Sequence, residues 1–85
     1  MNKIYLVIQK YTYEYNTNVF VDVYDTKEKA QSALEYIADR ETLNSWICRK
    51  KDVEIERNEN LFDAWIDGNA MEFQTTISLQ EKEIW

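Results

Sequence analysis

The chain has 85 residues, 45% of them hydrophobic and 14% aromatic. That is too apolar for a disordered chain and fits one domain, of a size that buries roughly 60% of its unfolded surface. A net charge of −6 with no histidine disfavours direct nucleic-acid binding, which needs clustered lysine and arginine, and favours partners with a basic surface.

Ile4, Leu6 and Ile8 alternate with Tyr5, Val7, Gln9 and Tyr11 over residues 4 to 13, which predicts a strand with one apolar and one tyrosine-rich face. Glu14 to Asn18 reads as a hairpin loop, and Val19 to Tyr24, β-branched and aromatic apart from Asp22, as an antiparallel second strand. With no proline and one glycine, turns fall to asparagine and aspartate, which tolerate left-handed backbone. Asn16-Thr17-Asn18 and Asn58-Glu59-Asn60 are the expected places.

Asp25 or Thr26 caps a helix, with Glu28 at capping-box spacing from Asp25. Ala30, Ala33, Leu34 and Ile37 then recur at intervals of three and four and share one face, while Glu28, Ser32, Glu35 and Asp39 lie opposite. The helix or a turn is expected to reach about Asn44, beyond which Trp46 to Cys48 reads either as further helix or as the start of a strand. Asp52 to Glu56 alternates as a third strand. Leu61, Ala64 and Trp65 share a helical face between Asn60 and Gly68, which predicts a short second helix; a hairpin turning at Asp67-Gly68 is the rival. Met71, Phe73, Thr75, Ile77 and Leu79 alternate with polar residues as the clearest strand. The expected fold is one α+β domain: an antiparallel sheet of about four strands with one main helix packed on one face, in the order β-β-α-β-short α-β.

If Ile4, Leu6 and Ile8 face the helix, Tyr5, Tyr11 and Tyr13 face away beside Phe20 and Tyr24. Such an uncovered aromatic face stacks bases or binds a protein; the plainer reading is cross-strand tyrosine pairs that stabilise the ribbon. The acidic set Asp22, Asp25, Glu28, Glu35, Asp39 and Glu41 can occupy the basic channel of a nucleic-acid enzyme, or simply keep the helix solvated. Trp85 either docks back on the sheet or anchors a partner, and Trp65 is expected to plug the core.

Catalytic chemistry finds no foothold. Without histidine, Cys48 cannot be a Cys-His nucleophile and reads as buried or idle, although Arg49-Lys50-Lys51 adjoin it. Those three cations are too few for a nucleic-acid patch. One thiolate without imidazole gives no metal set, one glycine gives no phosphate loop, and Glu54 with Glu56 reads as a solvent-facing pair. No enzyme activity, metal or cofactor is expected. The lone cysteine excludes an internal disulfide, no run is long enough to span a membrane, and no signal-peptide hydrophobic region is present, so a cytoplasmic setting is expected.

The succession of the IYLVIQKY strand, a strand ending VYDTKEKA, a helix, then LFDAWIDGN and a final alternating strand resembles small proteins of phages and other bacterial mobile elements. The resemblance spans most of the chain and implies an accessory protein acting in a bacterial host cell on a host or phage partner. The acidic helix is similar in character to the nucleic-acid-mimicking surfaces of anti-CRISPR inhibitors of defence nucleases. The expected role is a non-enzymatic inhibitor or regulator acting through Asp22, Asp25, Glu28, Glu35 and Asp39, with Tyr11, Tyr13 and Trp85 as aromatic anchors. The alternatives are a self-associating module, a homodimer built on the tyrosine face or the last strand, and a small ligand-binding domain.

Overall fold

Thr26 starts the helix. Its side-chain oxygen accepts the Lys29 amide N–H at 3.2 Å, so Lys29 rather than Glu28 holds the third helical position and no capping box closes with Asp25. The computed structural model describes residues 2–13, 16–49, 51–66 and 73–84. Their order is β1 (Asn2–Tyr13), β2 (Asn16–Tyr24), α1 (Lys27–Asn44), a 3₁₀ turn (Trp46–Cys48), β3 (Val53–Asn58), β4 (Leu61–Ile66) and β5 (Phe73–Ile84). The strands form one antiparallel sheet in the order β2-β1-β5-β4-β3. The α+β class with one main helix is therefore as expected, with five strands instead of about four.

The additional strand is β4, where a short helix was expected. Phe62 and Ala64 are fully buried on one face while Leu61, Asp63 and Trp65 take the other, so the segment obeys a period of two. As a strand between β3 and β5 it gives its backbone groups partners on both sides, which a helix of barely two turns would not. Its turn is built upstream: the Asn58 side chain accepts the Asn60 N–H at 2.8 Å, an Asx turn that joins β3 to β4. The rival hairpin at Asp67-Gly68, and Met71, lie outside the described residues. Asn16, Thr17 and Asn18 are paired strand residues opposite Tyr13, Thr12 and Tyr11 and not a loop. Among the described residues, left-handed backbone at a non-glycine residue falls at Asp52, with φ of 64°.

The helix covers one face of the sheet through Ala30, Leu34, Ile37 and Ala38, which meet Val7, Phe62, Ala64 and Ile77. Strand register fixes which residues share that face. Val7 lies opposite Leu79, Tyr11 opposite Thr75 and Tyr13 opposite Phe73, so the tyrosines of β1 are on the helix side and Ile4, Leu6 and Ile8 are on the uncovered side. This inverts the expected phase. β1 is apolar on both faces, so β5 decides. One face of β5 is Phe73, Thr75, Ile77 and Leu79, whereas Gln74, Thr76, Ser78 and Gln80 on the other suit only water.

At the end of α1 the Ser45 hydroxyl donates to the Glu41 carbonyl and accepts the Ile47 N–H. The resulting 3₁₀ turn swings Trp46 back to the sheet, where its indole N–H donates to the buried Thr75 hydroxyl at 3.3 Å. Trp46 rather than Trp65 therefore packs against the core from the helix side. Cys48 is exposed, not buried.

Candidate interaction surfaces

Charge is distributed unevenly across the sheet. Residues 1–24 hold Lys3 and Lys10 against Glu14 and Asp22, with no net charge. Residues 52–63 hold Asp52, Glu54, Glu56, Glu59 and Asp63 against Arg57 alone, a net −4. The described residues of the first stretch, 2–13 and 16–24, form the β1–β2 wing, and the second stretch forms the β3–β4 hairpin at the opposite edge.

On the uncovered face of that hairpin, Glu56 stands directly opposite Asp63 and Glu54 opposite Trp65. Like charges facing each other across strands destabilise a sheet by roughly 0.2–1 kcal/mol. Here Asp63 is held in place by its neighbours on β5: Gln74 Nε2 donates to its carboxylate at 3.2 Å and the Thr76 hydroxyl at 3.0 Å. The acidic pair is thus built into the sheet rather than trailing from a loop. On the helix side of the same edge, Arg57 bonds Asp39 at 2.8 Å, and Gln31, Leu34 and Glu35 line a hollow with Arg57, Asn58 and Glu59. Glu28, Glu35 and Asp39 fall in one stripe of α1 at helical spacing. That stripe and the hairpin therefore bracket β3 with carboxylates on both faces, and between them Ile55 is 47% exposed.

Two of the other predicted acids lie elsewhere. Asp22 is on the β2 edge, where Gln9 Nε2 reaches it at 3.5 Å. Asp25 precedes α1 and pairs with Lys29 at 3.0 Å; the ammonium hydrogen-bonds its carboxylate and holds it below the usual carboxylate range. Both partners are exposed, so water and salt screen the pair. Glu41, part-buried, pairs with its neighbour Arg40.

Tyr11 and Tyr13 line the helix side. The Tyr11 hydroxyl donates to Gln9 Oε1 at 2.6 Å and its ring meets Phe20 edge-on. Tyr13 packs edge-on against Phe73 at 4.8 Å, and Phe73 in turn against Trp46 at 5.5 Å. Arg49 shares a hollow with those three rings. Trp85 lies outside the described residues.

Burial, reinforced by the Glu41 carboxylate and opposed by Arg40, raises the Tyr11 hydroxyl above the usual tyrosine range. A raised folded pKa means that the stability Tyr11 contributes is intact below pH ~10, where unfolded tyrosine keeps its proton, and is lost as pH climbs through the folded value. Urea midpoints of the wild type are expected to fall faster above pH ~10 than those of Tyr11→Phe; parallel falls would show that Tyr11 plays no part in the alkaline loss.

The residues that the sequence did not flag are those of the uncovered face. Val19, Val21 and Val23 of β2 are 55, 52 and 59% exposed and sit opposite Lys10, Ile8 and Leu6. Glu54, Glu56 and Asp63 were legible as acids but not as one surface. Among the described residues no three acidic, cysteine or histidine side chains gather as a metal site, and no helix is long and apolar enough to cross a membrane. No known family, curated protein or solved structure matches the chain.

Proposed function

We propose that the protein is a non-enzymatic inhibitor or regulator that presents its acidic β3 side to the basic surface of a nucleic-acid-handling enzyme. The observation that carries this reading is the collection of carboxylates on both sides of one edge strand: Glu54, Glu56 and Asp63 on the open face, Glu35, Asp39 and Glu59 on the helix side. Such a field steers a basic partner in and rejects nucleic acid itself. Ile55, exposed amid the charges, supplies the apolar contact that a polar rim needs to hold its partner. The likeness to phage and mobile-element proteins fits a host or phage enzyme as that partner. Asp22 and Asp25 stand apart from this surface, which narrows the acidic set to the residues around β3.

The test compares two tagged baits in one bacterial lysate, the wild type and Glu54→Lys/Glu56→Lys, with elution by rising salt. Both substitutions sit on an exposed edge, so the fold is expected to persist. A basic protein held by the wild type should associate on the order of 10- to 100-fold more slowly with the variant at low salt, the gap closing as salt is raised. The recovered enzyme should also lose nucleic-acid binding when the wild-type protein is added. Equal capture by both baits would defeat the acidic-surface reading.

A further inference from the structure

The two edges of this sheet are treated differently. β3 places Glu54 and Glu56 on its open face, a protection that keeps edge strands from pairing with other chains. β2 has none. It runs nine residues, Asn16 to Tyr24, in unbroken register with β1 and without a bulge. It contains no lysine and no proline, and its single charge, Asp22, is on the helix side. Its open face is Thr17, Val19, Val21 and Val23, continuous with Ile8 and Leu6 of β1. On the helix side Phe20 is 56% exposed.

We propose that β2 pairs antiparallel with β2 of a second copy of this chain, joining two five-stranded sheets into one of ten strands. Charge selects this occupant. Each copy carries −6, so a contact between two identical edges is opposed least where charge is sparse, and β1 and β2 together hold only Lys3, Lys10 and Asp22. In the joined sheet the two β3 edges are nine strand spacings apart, ~43 Å at ~4.8 Å per strand. That is several times the Debye length of ~10 Å at 0.1 M salt, so the acidic edges do not oppose the assembly.

The side chains also set the register. A two-fold axis through Phe20 places that ring against its own copy, Asn18 against Asp22 of the other chain, and Val19 against Val21. Moving the axis to Val21 would set Phe20 against the Asp22 carboxylate. The first arrangement is therefore the one assigned. It is independent of the acidic surface around β3 and leaves that surface free at both ends of the dimer.

Light scattering on the wild-type protein, from micromolar concentrations upward, is expected to give twice the chain mass. Val21→Lys is expected to give the chain mass at concentrations where the wild type is paired, with an unchanged circular dichroism spectrum. Directly opposed antiparallel residues have Cα atoms ~4.5–5.5 Å apart, inside the disulfide range of ~4.4–6.8 Å. In a Cys48→Ser background, Phe20→Cys should therefore cross-link on oxidation, and faster than Val21→Cys. A wild type that stays monomeric at near-millimolar concentration overturns the proposal, as does a dimer that survives Val21→Lys. Loss of enzyme capture by the β3 charge variant with the dimer intact would leave this inference standing, because the two surfaces are at opposite edges.

Discussion

Phe62→Ala is expected to remove about 3–5 kcal/mol of folding stability. Phe62, the second residue of β4, is fully buried, opposite Ile77 on β5 and Arg57 on β3. Its ring fills the space between the sheet and α1, and the Arg57 guanidinium lies 6.0 Å from its centroid. Deleting it leaves a cavity under the helix and removes one partner of the residue that also bonds Asp39. A domain of this length has roughly 4–13 kcal/mol in all at ~0.05–0.15 kcal/mol per residue. The loss is therefore about a quarter of that total at the least and the whole of it at the most, and the urea midpoint should fall in proportion. The measurement is the urea midpoint at fixed protein concentration, with Leu61→Ala as the comparison. Leu61 is the neighbour on the open face, half-buried, and its loss is expected to cost about 1 kcal/mol. Equal midpoint shifts for the two variants would mean that the core does not lie where the buried face of β4 puts it.

Helix α1 was legible because several local signals agree. Thr26 caps, and Ala30, Leu34 and Ile37 mark one face. None of these depends on a distant part of the chain. The LFDAWI segment was not legible, because Leu61, Ala64 and Trp65 satisfy a helical period while Phe62 and Ala64 satisfy a strand period. The choice falls to pairing with β3 and β5, which lie on either side of it in sequence and close on it only in the fold. The phase of β1 failed for a related reason. IYLVIQKYTY offers apolar residues to both faces, and the deciding residues, Gln74, Thr76, Ser78 and Gln80, are more than sixty positions away.

The interaction surfaces divide in the same way. Glu28, Glu35 and Asp39 are a helical stripe and can be read locally. Their continuation through Glu54, Glu56 and Asp63 depends on the strand order, which puts the β3–β4 hairpin at the edge beside that stripe. The valines of β2 read locally as core, as any V-x-V-x-V run does; only the strand order makes them an exposed edge.

Ala38→Leu is expected to cost about 1–3 kcal/mol by overpacking. Ala30 and Ala38 on the helix and Ala64 on the sheet are all at zero exposure, so these methyl groups are enclosed where α1 meets the sheet. Three further carbons at position 38 can be accommodated only by lifting the helix or by strained rotamers, since protein interiors hold few voids of that size. Helix propensity does not enter, because leucine and alanine are both strong helix formers. Ala33→Leu is the control: Ala33 is only partly buried, at the flank of the same helix, and the change there is expected to stay within about 0.5 kcal/mol. The effect should also reach the proposed binding surface. Asp39 is the next residue after Ala38 and is held to β3 by Arg57 at 2.8 Å, so a lifted helix separates the helical stripe of carboxylates from those of the hairpin. Under conditions where Ala38→Leu remains folded, its affinity for a basic partner should fall while that of Ala33→Leu does not. If both keep full affinity, the helix stripe and the hairpin act as two separate patches rather than one surface around β3.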